Sequence, residues 1–199
     1  MTHIKKIVLT GGPCAGKTTI FNKLKEDYQD RIVFVPEVAT KLFDEGYQRE
    51  GSEPTPQWQN TFQSAVMNAQ MKLEAEAETE ALAAGKTVIV CDRGTLDGGA
   101  YTIGGKQAFC DLNSLNAQEI IDGYDTVIHL ESMAIGDPEA YENTSNTHRL
   151  ESVETATKLD QAIWDAWTGH PQHIRIRCDG GMRIKQHLVD KVIQKALGE

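Results

Sequence analysis

The chain has 199 residues, 40% hydrophobic and 25% charged, with 17 Gly and 6 Pro, a composition that excludes collagen-like, low-complexity and largely disordered readings. Its 20 Lys and Arg against 29 Asp and Glu give a net charge of −9, which argues against broad nucleic-acid or membrane-surface binding, where phosphates attract excess cations. A local basic pocket for one phosphorylated ligand stays compatible with that charge, and the length favours a single domain, 1–199, that folds without disulfides.

Cys14, Cys91, Cys110 and Cys178 form no CxxC pair and show no zinc-like spacing, so thiols in a reducing, cytoplasmic setting are expected. No run approaches the ~20 apolar residues of a membrane helix. Five short β-branched runs alternate with helical patterns: Ile4–Thr10, Ile32–Val35, Thr87–Asp92, Thr126–Leu130 and Ile174–Arg177. Most are nearly continuous, as strands covered on both faces require. Strand and helix in alternation predict a five-stranded parallel sheet in a three-layer α/β fold.

After the first run, Lys17–Asp27 sets Ile20, Leu24 and Tyr28 on one helical face. Thr55-Pro56 supplies a cap and a first-turn proline, and Trp58, Phe62, Val66, Ala69 and Leu73 continue at helical spacing towards a left-handed cap at Gly85. Such a helix would span about 45 Å, long enough for a bend or break to be expected. Gly94–Asn116 and Glu131–Ser145 read as loops. A further helix is expected from Asn146-Thr147, carrying Leu150, Val153, Ala156, Ile163 and Trp167 and stopping at Gly169-His170-Pro171. The last, Lys185–Leu197, is predicted to face Leu188, Val192 and Ala196 inward.

Between the first strand and the first helix lies Gly11-Gly12-Pro13-Cys14-Ala15-Gly16-Lys17-Thr18, a complete G-x-x-x-x-G-K-[ST] phosphate loop in the right context. Its glycines let backbone N–H groups turn around phosphate oxygens, and the helix that follows points its positive end at the anion. Lys17 can reach the β- and γ-phosphates, and the Thr18 hydroxyl can bind Mg²⁺. Asp92 ends an apolar strand in the manner of a Walker B acid; beside the first strand it would share that Mg²⁺ with Thr18, and Arg93 would reach phosphates or acceptor. Glu37, after Val35-Pro36, is either a base for an attacking hydroxyl or a helix-start acid favoured by the dipole. Arg149 is either a lid residue over the phosphates or a surface cation paired with Glu151 or Glu154.

Other features carry less. Trp164 and Trp167 are expected in the core, and Cys14 as a small filler of the loop. Phe62-Gln63 could meet an aromatic acceptor and read its edge, although Phe62 sits on the core stripe. Asp97 and Tyr101 are plausible acceptor contacts. Regulatory GTPase signatures are missing: Asn22-Lys23 lies inside the first helix, and Asp92 is followed by Thr95 where a switch glycine would stand. A small-molecule kinase fits these residues best.

Three segments together, Gly11 through Lys17-Thr18-Thr19, Val35-Pro36-Glu37-Val38-Ala39-Thr40 and Asp92-Arg93-Gly94-Thr95-Leu96-Asp97-Gly98-Gly99-Ala100-Tyr101, resemble the NadR-like AAA ATPase/kinase family, which includes the TRPL translocation defect proteins. His148-Arg149-Leu150-Glu151, Leu159-Asp160 and Trp167-x-Gly169-His170-Pro171 extend the likeness. The resemblance implies a nucleoside/nucleotide-kinase-like fold, ATP (or GTP) with Mg²⁺, and a small-molecule acceptor. It also aligns Glu37 with the base carboxylate of deoxynucleoside kinases. Members divide between nicotinamide riboside kinase domains and regulatory nucleotide-binding proteins. The alternatives are therefore a kinase for a nucleoside-like hydroxyl, a slow NTPase module that binds a protein or lipid headgroup, and an idle nucleotide sensor.

Overall fold

A computed structural model of the protein describes residues 3–48, 55–143 and 151–199. Five strands, β1 (Lys5–Gly11), β2 (Ile32–Val35), β3 (Val88–Asp92), β4 (Thr126–Leu130) and β5 (His173–Ile176), form one all-parallel sheet in the order β2-β3-β1-β4-β5. All five predicted runs are strands, the last lying one residue earlier than expected. The central β1 pairs Leu9 with Asp92 of β3 and Gly11 with Leu130 of β4. The carboxyl ends of β1, β3 and β4 therefore meet at one edge, where the strand order reverses and open α/β sheets bind ligands.

The near-continuous apolar runs follow from burial on both faces. Ile7, Leu9, Val90 and Ile128 pack under α1 (Lys17–Tyr28) and α10 (Gly181–Leu197), through Ile20, Leu24, Val189 and Ile193. On the other face, Val8 and Val127 meet Met67 of α3 (Pro56–Ala84), Phe109 of α5 (Gly105–Asn113) and Trp167, just after α9 (Val153–Ala166). Val33, Ile89 and Cys91 meet Ala77 and Ala81 of α3. Each such aliphatic side chain contributes about 1.5–3 kcal/mol by leaving water. This is the three-layer phosphate-loop NTPase arrangement. Among the described residues no helix is long and apolar enough to cross a membrane.

Several sequence expectations need correction. Helix α3 is one continuous helix from N-cap Thr55 to Gly85, without a break. Phe62 is buried as predicted, but beyond it the buried stripe runs through Gln63, Met67, Gln70, Glu74, Ala77 and Ala81, one residue on from the predicted Val66, Ala69 and Leu73. Polar side chains on that stripe hid it from a hydrophobic pattern. The segment 94–116 is not a loop: a 3₁₀ turn at Thr95–Asp97 leads into α4 (Gly98–Tyr101) and α5. Its glycines serve close approach, since a Cβ on Gly98 would come within 2.7 Å of Phe109 and one on Gly99 within 2.8 Å of Lys106. Of the expected loop 131–145, the described residues 131–143 hold α7 (Met133–Gly136) and α8 (Pro138–Asn143).

Helix α9 is capped by Ser152, whose Oγ takes the Thr155 N–H; the start expected at Asn146-Thr147 lies outside the described residues. Helix α10 begins at Gly181 and buries Lys185, Val189 and Ile193, leaving Leu188 40% exposed. Trp167 is fully buried, as expected. Trp164 is only half-buried and stacks on His173 at 3.7 Å, with the Arg175 guanidinium 5.1 Å from its ring.

Candidate active site

The loop between β1 and α1 departs from ordinary backbone at Gly11, Cys14 and Gly16, with φ of 140°, 55° and 89°. Lys17 folds back along it, and Nζ donates to the carbonyls of Gly11 at 2.9 Å and Gly12 at 3.3 Å. Burial, helped by the nearby Arg93 charge, lowers the Lys17 pKa to about 8, against the pull of Asp92, Glu37 and Asp97. These groups thus form one electrostatic cluster at the carboxyl edge of the sheet. Cys14 packs against Ala134, Tyr141 and Ala156, the filler role expected of it.

Asp92 ends β3 beside β1, as its Walker B reading requires. Its Oδ1 is buried with no hydrogen-bond partner among the described residues. Burial raises its pKa to about 6, opposed by Lys17 and reinforced by Glu37. An orphaned carboxylate oxygen, with the Thr18 hydroxyl at the head of α1, suits a hydrated divalent cation that keeps several waters. Because the folded-state pKa lies above the ordinary 3.8, the carboxylate contributes stability at low pH that is lost as pH rises through about 6. Asp92→Asn is therefore expected to raise the Tm of the nucleotide-free protein by a few degrees at pH 7, and to weaken the Mg²⁺ dependence of nucleotide binding. Thermal melts with and without Mg²⁺–nucleotide check both halves.

Glu37 precedes α2 (Val38–Asp44) but makes no side-chain cap bond there. Instead its Oε1 takes Arg93 Nε–H at 2.8 Å and its Oε2 takes the Thr40 hydroxyl at 2.8 Å. Burial pushes this carboxyl up, but Arg93 and Thr40 outweigh it and hold it below the usual carboxylate range. Arg93 has φ 75°, a strained value for a residue with a Cβ. Bonds on both sides hold it: its N–H donates to Leu9 O at 3.0 Å, and its carbonyl takes Gln70 Nε2–H at 3.2 Å. Gln70 also donates to Glu74, which takes the Tyr124 hydroxyl at 2.7 Å and pairs with Lys6 at 3.1 Å. Arg93 Nη1 is buried 3.6 Å from Asp97 Oδ2, an ion pair too long for a hydrogen bond, and has no hydrogen-bond partner among the described residues, so it keeps N–H donors for a ligand.

A cavity of about 570 Å³ lies beside this cluster, walled by Glu37 and Arg93 and by Phe43, Trp58, Tyr101 and Gln63. Phe62 also lines it, held between Phe43 (centroids 4.7 Å) and Trp58 (5.1 Å) in a three-ring stack. Gln63 is 6% exposed and lines this cavity from α3. Asp97 borders the cavity, but its oxygens are taken by the Thr10 hydroxyl and Trp167 Nε1–H, each at 2.6 Å, so its role is to fix β1 against α9. The Arg93 guanidinium lies 5.5 Å from the Tyr101 ring. Arg149, the predicted lid residue, lies outside the described residues.

Reasoning from sequence missed Gln70 and Glu74, whose only signal was a Gln/Glu pair four residues apart on a helix otherwise expected to bury apolar groups. It underweighted Gln63, which the shifted stripe turns inward. No curated protein is significantly similar to the chain. A family model described as AAA domain matches residues 6–182, from β1 through the phosphate loop and Asp92 to the head of α10. With that match over most of its length, and a phosphate loop at the carboxyl edge of a parallel sheet, the chain belongs to the AAA-domain family of phosphate-loop NTPases.

Proposed function

We propose that the protein binds ATP with Mg²⁺ and transfers the γ-phosphoryl group to a hydroxyl of a nucleoside-like small molecule. The observation that carries this reading is the aromatic cavity whose wall includes the Glu37–Arg93 pair. A binding module needs a phosphate loop but no aromatic cavity beside it for a second molecule. Here a planar ring can extend the Phe43–Phe62–Trp58 stack and offer its edge to Gln63, while a hydroxyl reaches Glu37. The acceptor oxygen then forms its bond to the γ-phosphorus as the bond to the β-phosphate oxygen breaks. ADP leaves, and the hydroxyl proton passes to the Glu37 carboxylate. Arg93, charged and partly unpaired, would stabilise the oxygens that gain charge. Bound Mg²⁺, held by Thr18 and Asp92, would supply charge neutralisation at the phosphates. Narrower kinship with the NadR-like kinases belongs to the same proposal and rests on the motif likeness. GTP is the second phosphoryl donor to test.

Calorimetry with a panel of nucleosides, nicotinamide riboside and polyols tests the chamber. A ring-bearing acceptor is expected to bind and polyols are not. Gln63→Leu is expected to weaken that acceptor by roughly 10-fold or more, because a ring-edge polar group would lose its partner. ATP affinity should stay unchanged. Equal binding of ring-bearing and ring-free compounds would remove the basis for a nucleoside-like acceptor.

A further inference from the structure

Three side chains from the C-terminal half grip the phosphate loop from outside. Asp160 on α9 is fully buried, and its Oδ1 takes the N–H groups of Gly12 and Ser132, each at 2.9 Å. A Cβ on Gly12 would come within 2.7 Å of that carboxylate, so only glycine allows the contact. The Ser132 hydroxyl donates to the carbonyl of Pro13. Lys185 on α10 is 2% exposed, and its Nζ donates to the carbonyls of Ala15 at 3.0 Å and Glu131 at 2.6 Å.

These grips fall on alternate peptides: 11–12, 13–14 and 15–16. No peptide here is cis, so each carbonyl points opposite to the N–H of the next residue. Drawing the Pro13 and Ala15 carbonyls outward turns the N–H groups of Cys14 and Gly16 the other way. Both residues are left-handed, and neither N–H has a hydrogen-bond partner among the described residues. Amides aimed to one side of a strand–helix turn make a concave anion nest. Lys185 is the unusual member. Its buried amino group is committed to two backbone carbonyls, one of them in the loop, with no carboxylate hydrogen-bonded to it.

We propose that Lys185, seconded by Ser132, is a positioning residue of the phosphate site, which holds the Ala15 carbonyl so that the Gly16 N–H faces the phosphates of the nucleotide. The inference rests on the nucleotide-binding reading of the loop. It makes α10, at the far end of the chain, part of the binding apparatus without touching the ligand.

Calorimetry of the full chain with Mg²⁺–ADP separates the two levels. If the wild-type protein does not bind ADP, the phosphate-loop reading fails and this inference falls with it. If it binds, Lys185→Met, which keeps length and packing but removes the donors, is expected to weaken ADP about 10- to 100-fold. Val189→Ala, on the same buried face of α10, is the packing control: it should lower Tm and leave ADP affinity unchanged. Equal effects of the two variants on ADP affinity, or none from Lys185→Met, would overturn the proposal. Should Lys185→Met fail to fold, side-chain ¹⁵N NMR of the wild-type protein decides. ADP should shift the Lys185 Nζ resonance and spare that of Lys5, whose Nζ donates to the Ala196 carbonyl. A bound complex with an unmoved Lys185 signal would equally overturn it.

Discussion

Lys17→Ala is expected to weaken Mg²⁺–ATP binding by at least about 100-fold while leaving the fold intact. The side chain packs along loop carbonyls rather than in the apolar core, so its loss removes a charge and donors and leaves no cavity among hydrophobic residues. Burial and the Arg93 charge have already lowered its pKa to about 8, which means that the unliganded protein carries the ammonium at a cost. Between about pH 8 and the ordinary 10.5 the unfolded chain binds more protons than the folded one. The Lys17 contribution to stability therefore rises with pH across that window, and Lys17→Ala should flatten the rise. Phosphate favours the charged form, so nucleotide binding above pH 8 should take up a proton and weaken as pH increases. Calorimetry in buffers of different ionisation enthalpy, with thermal melts of both proteins, measures each part. Unchanged ATP affinity in the alanine variant would remove the phosphate-loop assignment.

Glu37→Gln should separate binding from transfer. The substitution keeps size and shape, and an amide oxygen can still accept from Arg93 or Thr40. It removes the anionic charge and the proton-accepting carboxylate. Each wild-type carboxylate oxygen uses one lone pair internally and keeps another for an acceptor hydroxyl. Arg93 holds the group ionised at neutral pH, ready to accept a proton, though its low basicity limits the gain. General-base help is typically worth roughly 10²–10⁴ in rate. The variant is expected to lose about that factor in kcat with the ring-bearing acceptor, with little change in ATP affinity. Arg93 would lose the nearer of its two ion-pair partners and keep Asp97, so a modest fall in Tm should accompany the rate effect. Variant and wild type turning over acceptor at the same rate would exclude Glu37 as the base.

The sheet and the phosphate loop were legible because their signals are local. Five β-branched runs had to be strands covered on both faces, and the glycine spacing before Lys17-Thr18 serves one backbone shape. The position of Asp92 at the end of β3 was legible as well, because the apolar run stops there. The chamber was not. Its wall depends on Gln63 and Gln70 pointing inward from α3, and on helices α4 and α5 forming from a glycine-rich stretch. Those helices depend on tertiary contacts of Gly98 and Gly99 that outweigh poor helix propensity. Asp97 looked like a ligand contact, yet Thr10 and Trp167 occupy it. Lys185 carried no sequence signal, and Asp160 entered only through the family likeness with no role, because their pairings with the loop span 170 and 148 residues of chain.

Phosphorus NMR of Mg²⁺–ATP with the wild-type protein and the tightest-binding acceptor tests the kinase reading most directly. The γ-phosphate signal should be replaced by that of a phosphomonoester on the acceptor, together with ADP and little free phosphate. Conversion to ADP and inorganic phosphate at the same slow rate with or without every acceptor would contradict it, and would leave a regulatory NTPase in its place.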